Sequence, residues 1–186
     1  MAASFLLCKN TPYIVGVHKI KEKGIFQTMA YENFVPVIGI IQNISNGGEC
    51  CTRRVSVRTD QGIINFMVTQ ETTIIESIRL ERGMRIAAFY DSSLPVPLIF
   101  PPQYQAQLIT TLGRNQNIML NMFDGELTAS DQSLKLNLGR RTEIMTLNGQ
   151  PFTCNPGNHT LLVYYTATTR SIPPQTTPER IVVLCQ

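Results

Sequence analysis

The stretches TDQGIINFMVTQETTII, residues 59–75, and SDQSLKLNLGRRTEIM, residues 130–145, decide how this chain is read, because one echoes the other. Asp60-Gln61 answers Asp131-Gln132, and Thr72 with Ile74 answers Thr142 with Ile144. Farther along, GMRIAAFY from Gly83 answers GNHTLLVY from Gly157, each running from glycine to tyrosine. Pro101-Pro102 and Pro173-Pro174 then precede the apolar runs QAQLIT and RIVVLC. The four offsets, 71, 70, 74 and 72 residues, keep one order along both halves. A period this long exceeds that of solenoid repeats and predicts two tandem copies of a small domain, residues 29–112 and 113–186.

Each copy reads as all-β. Val55, Val57 and Thr59 alternate with Arg54, Ser56 and Arg58, the pattern of a strand with one buried face. Asp60-Gln61-Gly62 supplies a tight turn, since Asp bonds local backbone and Gly accepts positive φ. Ile64, Phe66 and Val68 then alternate with Asn65, Met67 and Thr69. A mostly apolar run over residues 37–44 supplies the strand before these, and further strands are expected over residues 83–90 and 106–111. The second copy offers 118–123, 126–130, 133–138, 160–165 and 181–185. Three strands, a gap, then two more is the order of the OB fold, in which five strands close a small barrel. Typical OB domains place a helix in that gap. Residues 71–83 could supply one short helical turn, whereas LNGQPFTCNPG (147–157) cannot. A different small barrel or a two-sheet sandwich is the alternative.

The stretches YENFVPVIGIIQNI (31–44) and AFYDSSLPVPLIFPPQY (88–104) resemble an uncharacterised group of small Gram-positive bacterial proteins with OB-like domains. The resemblance covers a minor part of the chain. It implies an OB-like domain and a cytoplasmic bacterial origin, and no activity.

The chain has 186 residues, 43% hydrophobic and 16% charged, enough apolar material for a true core and too much for a disordered chain. No apolar run approaches the roughly 20 residues that span a bilayer as a helix, so no membrane association is expected. The net charge of +3 hints at nucleic acid, but its position withdraws the hint. Lys9, Lys19, Lys21 and Lys23 against Glu22 place the whole excess in residues 1–28, and residues 29–186 are neutral. Nucleic-acid affinity needs a basic stripe, which the body lacks. Residues 1–28 themselves read as an appendage: a disordered lead, a mis-assigned start ahead of Met29, or one extra strand over TPYIVGVHKI. Five cysteines, an odd number with the adjacent pair Cys50-Cys51, fit neither a disulfide framework nor zinc spacing. That usage points to a reducing, cytoplasmic setting without metal or cofactor.

Catalytic signatures are missing. No GxSxG, HExxH, Walker or GxGxxG spacing occurs. His159 is the only histidine after residue 28, and the glycine-to-tyrosine match sets it opposite Arg85. Carboxylates stand singly, although Glu76 and Asp91 are a pair the fold could unite. The chain is therefore expected not to be an enzyme.

The proline segments, SSLPVPLIFPPQY (92–104) and TTRSIPPQTTPER (168–180), fall between the last two strands of their copies. Proline holds such loops extended at low entropic cost. Leu98, Ile99, Phe100, Tyr104 and Ile172 are the candidate interaction surface, for a protein partner or self-association. The competing reading, favoured by the shared Pro-Pro pair, folds Leu98–Phe100 back to plug a barrel end or pack one copy on the other. For single-stranded nucleic acid, the alternative function, Arg53, Arg54 and Arg58 are the candidate contacts, and Phe66, Tyr90, Tyr164 and Tyr165 the candidate stacking platforms.

Overall fold

Alternating β-branched and polar residues leave residues 53–68 little choice but a hairpin, and the fold grows from it. The computed structural model describes residues 31–185; the expectations for residues 1–28 lie outside the described residues. Strands β1 (Phe34–Asn46), β2 (Arg53–Thr59) and β3 (Gly62–Val68) form an antiparallel meander. The Thr59 hydroxyl donates to the Gly62 carbonyl at 2.9 Å, and Gly62 sits at φ 125° as the turn requires. Next come β4 (Thr73–Ile74), a 3-10 turn at Ile75–Ser77, β5 (Arg85–Asp91), β6 (Gln103–Gln105) and β7 (Leu108–Thr111). The second half carries β8 (Asn117–Phe123), β9 (Lys135–Leu136), β10 (Glu143–Thr146), β11 (His159–Tyr165), β12 (Gln175–Thr176) and β13 (Arg180–Leu184). The described chain is all-β.

Two expected elements differ. Residues 126–130 form no strand, only the bridges Phe123–Ala129 and Thr128–Lys135. The Asp124 carboxylate accepts the N–H groups of Glu126 and Thr128, both at 2.9 Å, and Leu127 lies at φ 60° between them. That turn holds the backbone out of a ladder. Residues 133–138 accordingly reduce to β9. In the gap after β3 the expected short helical turn is present as a single 3-10 turn at Ile75–Ser77, and the β-branched run Thr72–Ile75 that leads into it forms β4 and resists a longer helix.

Among the described residues, four of the six ladders of the first half recur in the second, and the β1–β2 and β2–β3 ladders shrink there to isolated bridges. β5 lies antiparallel between β1 and β7, and β11 between β8 and β13. The parallel pairs β4–β7 and β3–β6 are answered by β10–β13 and β9–β12. Individual bonds match as well. The Thr72 hydroxyl donates to the Ala106 carbonyl and the Thr142 hydroxyl to Pro178, both at 2.8 Å. Gln107 N–H reaches Phe89 O at 2.8 Å, and Glu179 N–H reaches Tyr164 O at 2.9 Å. One expected match shifts. Gly83 N–H bonds Ile41 O, and Asn158 N–H bonds Phe123 O, each from a residue at positive φ (90° and 61°). Gly83 therefore corresponds to Asn158, not Gly157, and Arg85 to Thr160, not His159. The backbone conformation sets this register, and the shared glycine letter misleads.

Hydrogen bonding orders the larger sheet β4-β7-β5-β1-β2-β3-β6, and no sheet closes into a barrel. Its end strand β6 and the penultimate strand β7 are nonetheless parted only by Ala106 and Gln107. Ala106 N–H turns to Met67 O of β3 at 2.9 Å, and Gln107 N–H to Phe89 O of β5.

Three buried clusters fill the molecule. One belongs to the first half, around Val55, Val57, Phe66, Ile86 and Ile109. Another belongs to the second, around Phe123, Leu136, Leu161, Val163 and Ile181. The third joins the halves: Ile75, Ala87, Phe89, Leu108 and Leu112 meet Ile118, Leu162, Tyr164, Val182 and Leu184. Here Tyr164 shares a 2.6 Å hydrogen bond with Thr110. Arg180 lies 4.0 Å from the Tyr164 ring centroid, and its Nη1 donates to both Glu76 carboxylate oxygens at 3.0 Å. Burial pushes the Tyr164 phenol above its ordinary pKa, with Glu76 adding to the rise and Thr110 and Arg180 opposing it.

Candidate interaction surface

Residues 92–113 contain no Asp, Glu, Lys, Arg or His, the conditions for an apolar loop. Its base is tied down. The Asp91 carboxylate accepts the Ser93 N–H at 2.9 Å and the Ser93 hydroxyl at 2.6 Å. Ser92 N–H donates to Asn33 O at 2.9 Å, and the far end is held by Asn65 N–H on Pro102 O at 2.9 Å. Between these anchors the loop stands clear of the body. Leu98 is 104% exposed, Phe100 95% and Ile99 51%.

The second loop is built alike. Lys135 N–H donates to Pro174 O at 2.8 Å, the counterpart of the Asn65–Pro102 bond. Thr169 is the inner brace: its N–H reaches Gln175 O at 2.8 Å and its hydroxyl accepts Gln175 N–H at 2.9 Å. The Ser171 hydroxyl donates to Pro173 O at 2.8 Å, and Ile172 at the tip is 100% exposed. The Phe100–Pro101 and Ile172–Pro173 peptides are both cis.

These exposures overturn the folded-back reading. Leu98 and Phe100 plug nothing, and the packing of one half on the other is done by β5, β7, β8, β11 and β13. Tyr104 departs from the expected set in the opposite sense. It is half-buried and stacks on Tyr90 at 4.1 Å between centroids, with Phe66 at 6.0 Å. Burial, and then the neighbouring Tyr104 phenol, raise the pKa of Tyr90. Leu94 and Val96 join the exposed tip residues, unannounced except by the uncharged run itself. Beside them opens a cleft of about 350 Å³, lined by Met67, Tyr90, Leu94, Val96 and Tyr104.

The three arginines do not act together. Strand alternation sets Arg54 and Arg58 on the face opposite buried Val55 and Val57, and Arg54 Nε donates to Ser45 Oγ at 3.3 Å. Arg53 instead edges a separate cavity of about 510 Å³ with Arg79, over Val55, Val68 and Ile74. Of the four candidate platforms, Phe66 and Tyr164 are fully buried and Tyr90 is covered by Tyr104.

Glu76 is held by Arg180 and Asp91 by Ser93, so the two carboxylates have separate partners. His159 Nδ1 lies 2.8 Å from Gly157 O, and its ring meets Phe152 edge-on at 5.8 Å. Cys50, Cys51 and Cys185 are exposed thiols, whereas Cys154 is disulfide-bonded, a departure from the cysteine usage expected of a reducing setting. Among the described residues, no group of three or more His, Cys, Asp or Glu side chains is placed to hold a metal ion, and no helix is long and apolar enough to cross a membrane. Comparison of the sequence with protein-family models and with curated proteins finds no match for this chain.

Proposed function

We propose that the chain is a non-catalytic binding or assembly module whose working surface is the pair of proline loops. The observation that carries this reading is the full exposure of Leu98, Phe100 and Ile172 on loops whose bases are hydrogen-bonded in place. Exposing large apolar side chains to water is unfavourable unless a surface covers them in use, and a braced loop loses little entropy when it docks.

The scaffold under the loops is, in this reading, two tandem OB-like domains in a cytoplasmic protein. Support comes from the single segment Gln103 to Thr111, which bonds β3 at one end and β5 at the other, as the last strand of an OB barrel does. The recurrence of the β1–β5, β5–β7, β4–β7 and β3–β6 pairings in the second half supports the tandem arrangement. OB domains commonly bind ligands through loops at the barrel rim, where both proline segments lie in the strand order.

The experiment is affinity purification from cells of the wild type beside the double variant Phe100→Asp, Ile172→Asp. A defined set of proteins retained by the wild type and lost from the folded double variant is the expected result; identical sets from both overturn the reading. A second reading, single-stranded nucleic-acid binding, draws on Arg54 and Arg58 sharing one outer face. A labelled oligonucleotide shifted by the wild type at low salt, and not by Arg54→Glu, would establish it in place of the first.

A further inference from the structure

We infer that the protein pairs with a second copy of itself through a two-fold contact, the Leu98–Phe100 tip of each chain seating in the cleft beside β6 of the other. The inference rests on the proline loops being the working surface, and it names what covers one of them.

Three observations favour this occupant. The first is fit. The tip offers an aromatic and two aliphatic side chains, and the cleft at the base of the same loop is largely apolar, with a volume of about 350 Å³. An apolar cavity of about 150 Å³ already accepts benzene, so there is room for the Phe100 ring and a neighbour. Knob and cleft belong to one loop, so a two-fold operation lets each chain give and receive at once, as a self-complementary interface requires.

The second is area. A fully exposed aromatic presents about 150–250 Å². Leu98 adds a second fully exposed side chain, and Ile99, Leu94 and Val96 are each roughly half exposed. Together they supply the larger part of the ~800 Å² per partner of a standard stable interface.

The third is charge. A two-fold contact sets residues near the axis against their own images, so any ionised group there faces a like charge. The stretch 92–113 has none, and the one ionised side chain that lines the receiving cleft, Asp91, has its carboxylate engaged by the Ser93 N–H and hydroxyl. The second loop does not meet this condition, because Arg170 stands two residues from its Ile172 tip. Self-pairing is thus assigned to the first loop alone.

Sedimentation equilibrium on the full chain tests the proposal, at about 100 μM, well above the micromolar weak end for interfaces of this size. The expected result is a dimer whose population is unchanged between low and high salt. Phe100→Asp, and independently Leu98→Asp, should weaken it by about a thousandfold, the scale of losing a central anchor of about thirtyfold from each of the two copies, with thermal unfolding unchanged when both proteins are dilute enough to be monomeric. Reciprocity has its own test. Phe100→Ala removes the knob and Val96→Trp fills the cleft, so each variant alone should be monomeric. Their equimolar mixture should dimerise, since one knob and one cleft remain intact. A monomeric wild type, a dimer that dissolves in salt or survives both Asp variants, or a mixture that stays monomeric each overturns the contact. The co-purification experiment stays separate: loss of the dimer with retained loop-dependent partners would refute only self-pairing.

Discussion

Two apolar surfaces in this molecule have opposite fates. Between the halves, β5, β7, β8, β11 and β13 close on one another around Phe89, Leu162 and Val182, and water is excluded. On the proline loops, Leu98, Phe100 and Ile172 remain in solvent. The first is formed by regular strands whose side chains interdigitate, and the second by short braced loops whose tips no described residue covers. The difference teaches that apolar content alone assigns no role; the backbone carrying it decides whether the chain consumes its own surface. Substitutions on the two surfaces should therefore report on different properties.

The sharpest contrast is Phe89→Ala against Phe100→Ala. Removing the buried ring should cost about 3–5 kcal/mol by urea unfolding, because it leaves a cavity in packing shared by both halves. Tyr164→Phe comes next, at about 1 kcal/mol, for the lost hydrogen bond to buried Thr110. That variant also changes the pH response. The folded phenol holds its proton above its ordinary pKa, whereas the unfolded chain releases it near pH 10, about the usual tyrosine value. The folded state then binds more protons, so stability is full below pH 10 and falls as pH rises through the native pKa. Urea midpoints from pH 8 to 11 should decline less in Tyr164→Phe, Tyr90 and Tyr165 keeping the remainder because burial raises them too. Glu76→Gln should cost about 0.5–1 kcal/mol in thermal unfolding at low salt, since its partner Arg180 keeps its place over the Tyr164 ring. Phe100→Ala should stay within about 0.5 kcal/mol of the wild type by urea unfolding. A large loss there would put the tip in the core and erase the comparison.

How legible each surface was depends on how local its causes are. The β2–β3 hairpin was readable because Val55, Val57, Phe66 and Val68 bury one face and the residues between them do not. The contact between halves left a subtler trace. In β11, Leu161 and Val163 face one cluster while Leu162 and Tyr164 face another, so the strand reads as an unbroken apolar run. RIAAF in β5 and RIVVL in β13 carry the same mark of a strand buried on both faces. The run shows that a second layer exists but not which strand supplies it. For the loops, the uncharged stretch and the prolines were legible, whereas the choice between plug and free tip was not. That choice depends on space left by distant strands, and the cleft beside Tyr104 arises only where β3, β6 and the loop meet. Two-residue strands such as β4 and β12 leave no periodicity to read.

The Tyr164–Thr110 bond has one more consequence, about which half accepts which. By strand pairing, Tyr164 corresponds to Phe89 and Thr110 to Val182. A hydroxyl pair on one side of the contact is thus matched by an all-carbon pair, Phe89 and Val182, buried in the same cluster. Likewise Glu76 and Arg180 correspond to Thr146 and Leu108. Two first halves brought together in this way would bury Thr110 against Phe89 and strand Glu76 beside Leu108. Two second halves would leave the Tyr164 hydroxyl facing Val182. Only unlike halves satisfy every polar group, so the sequence divergence between them selects a first half for a second half over either with its like.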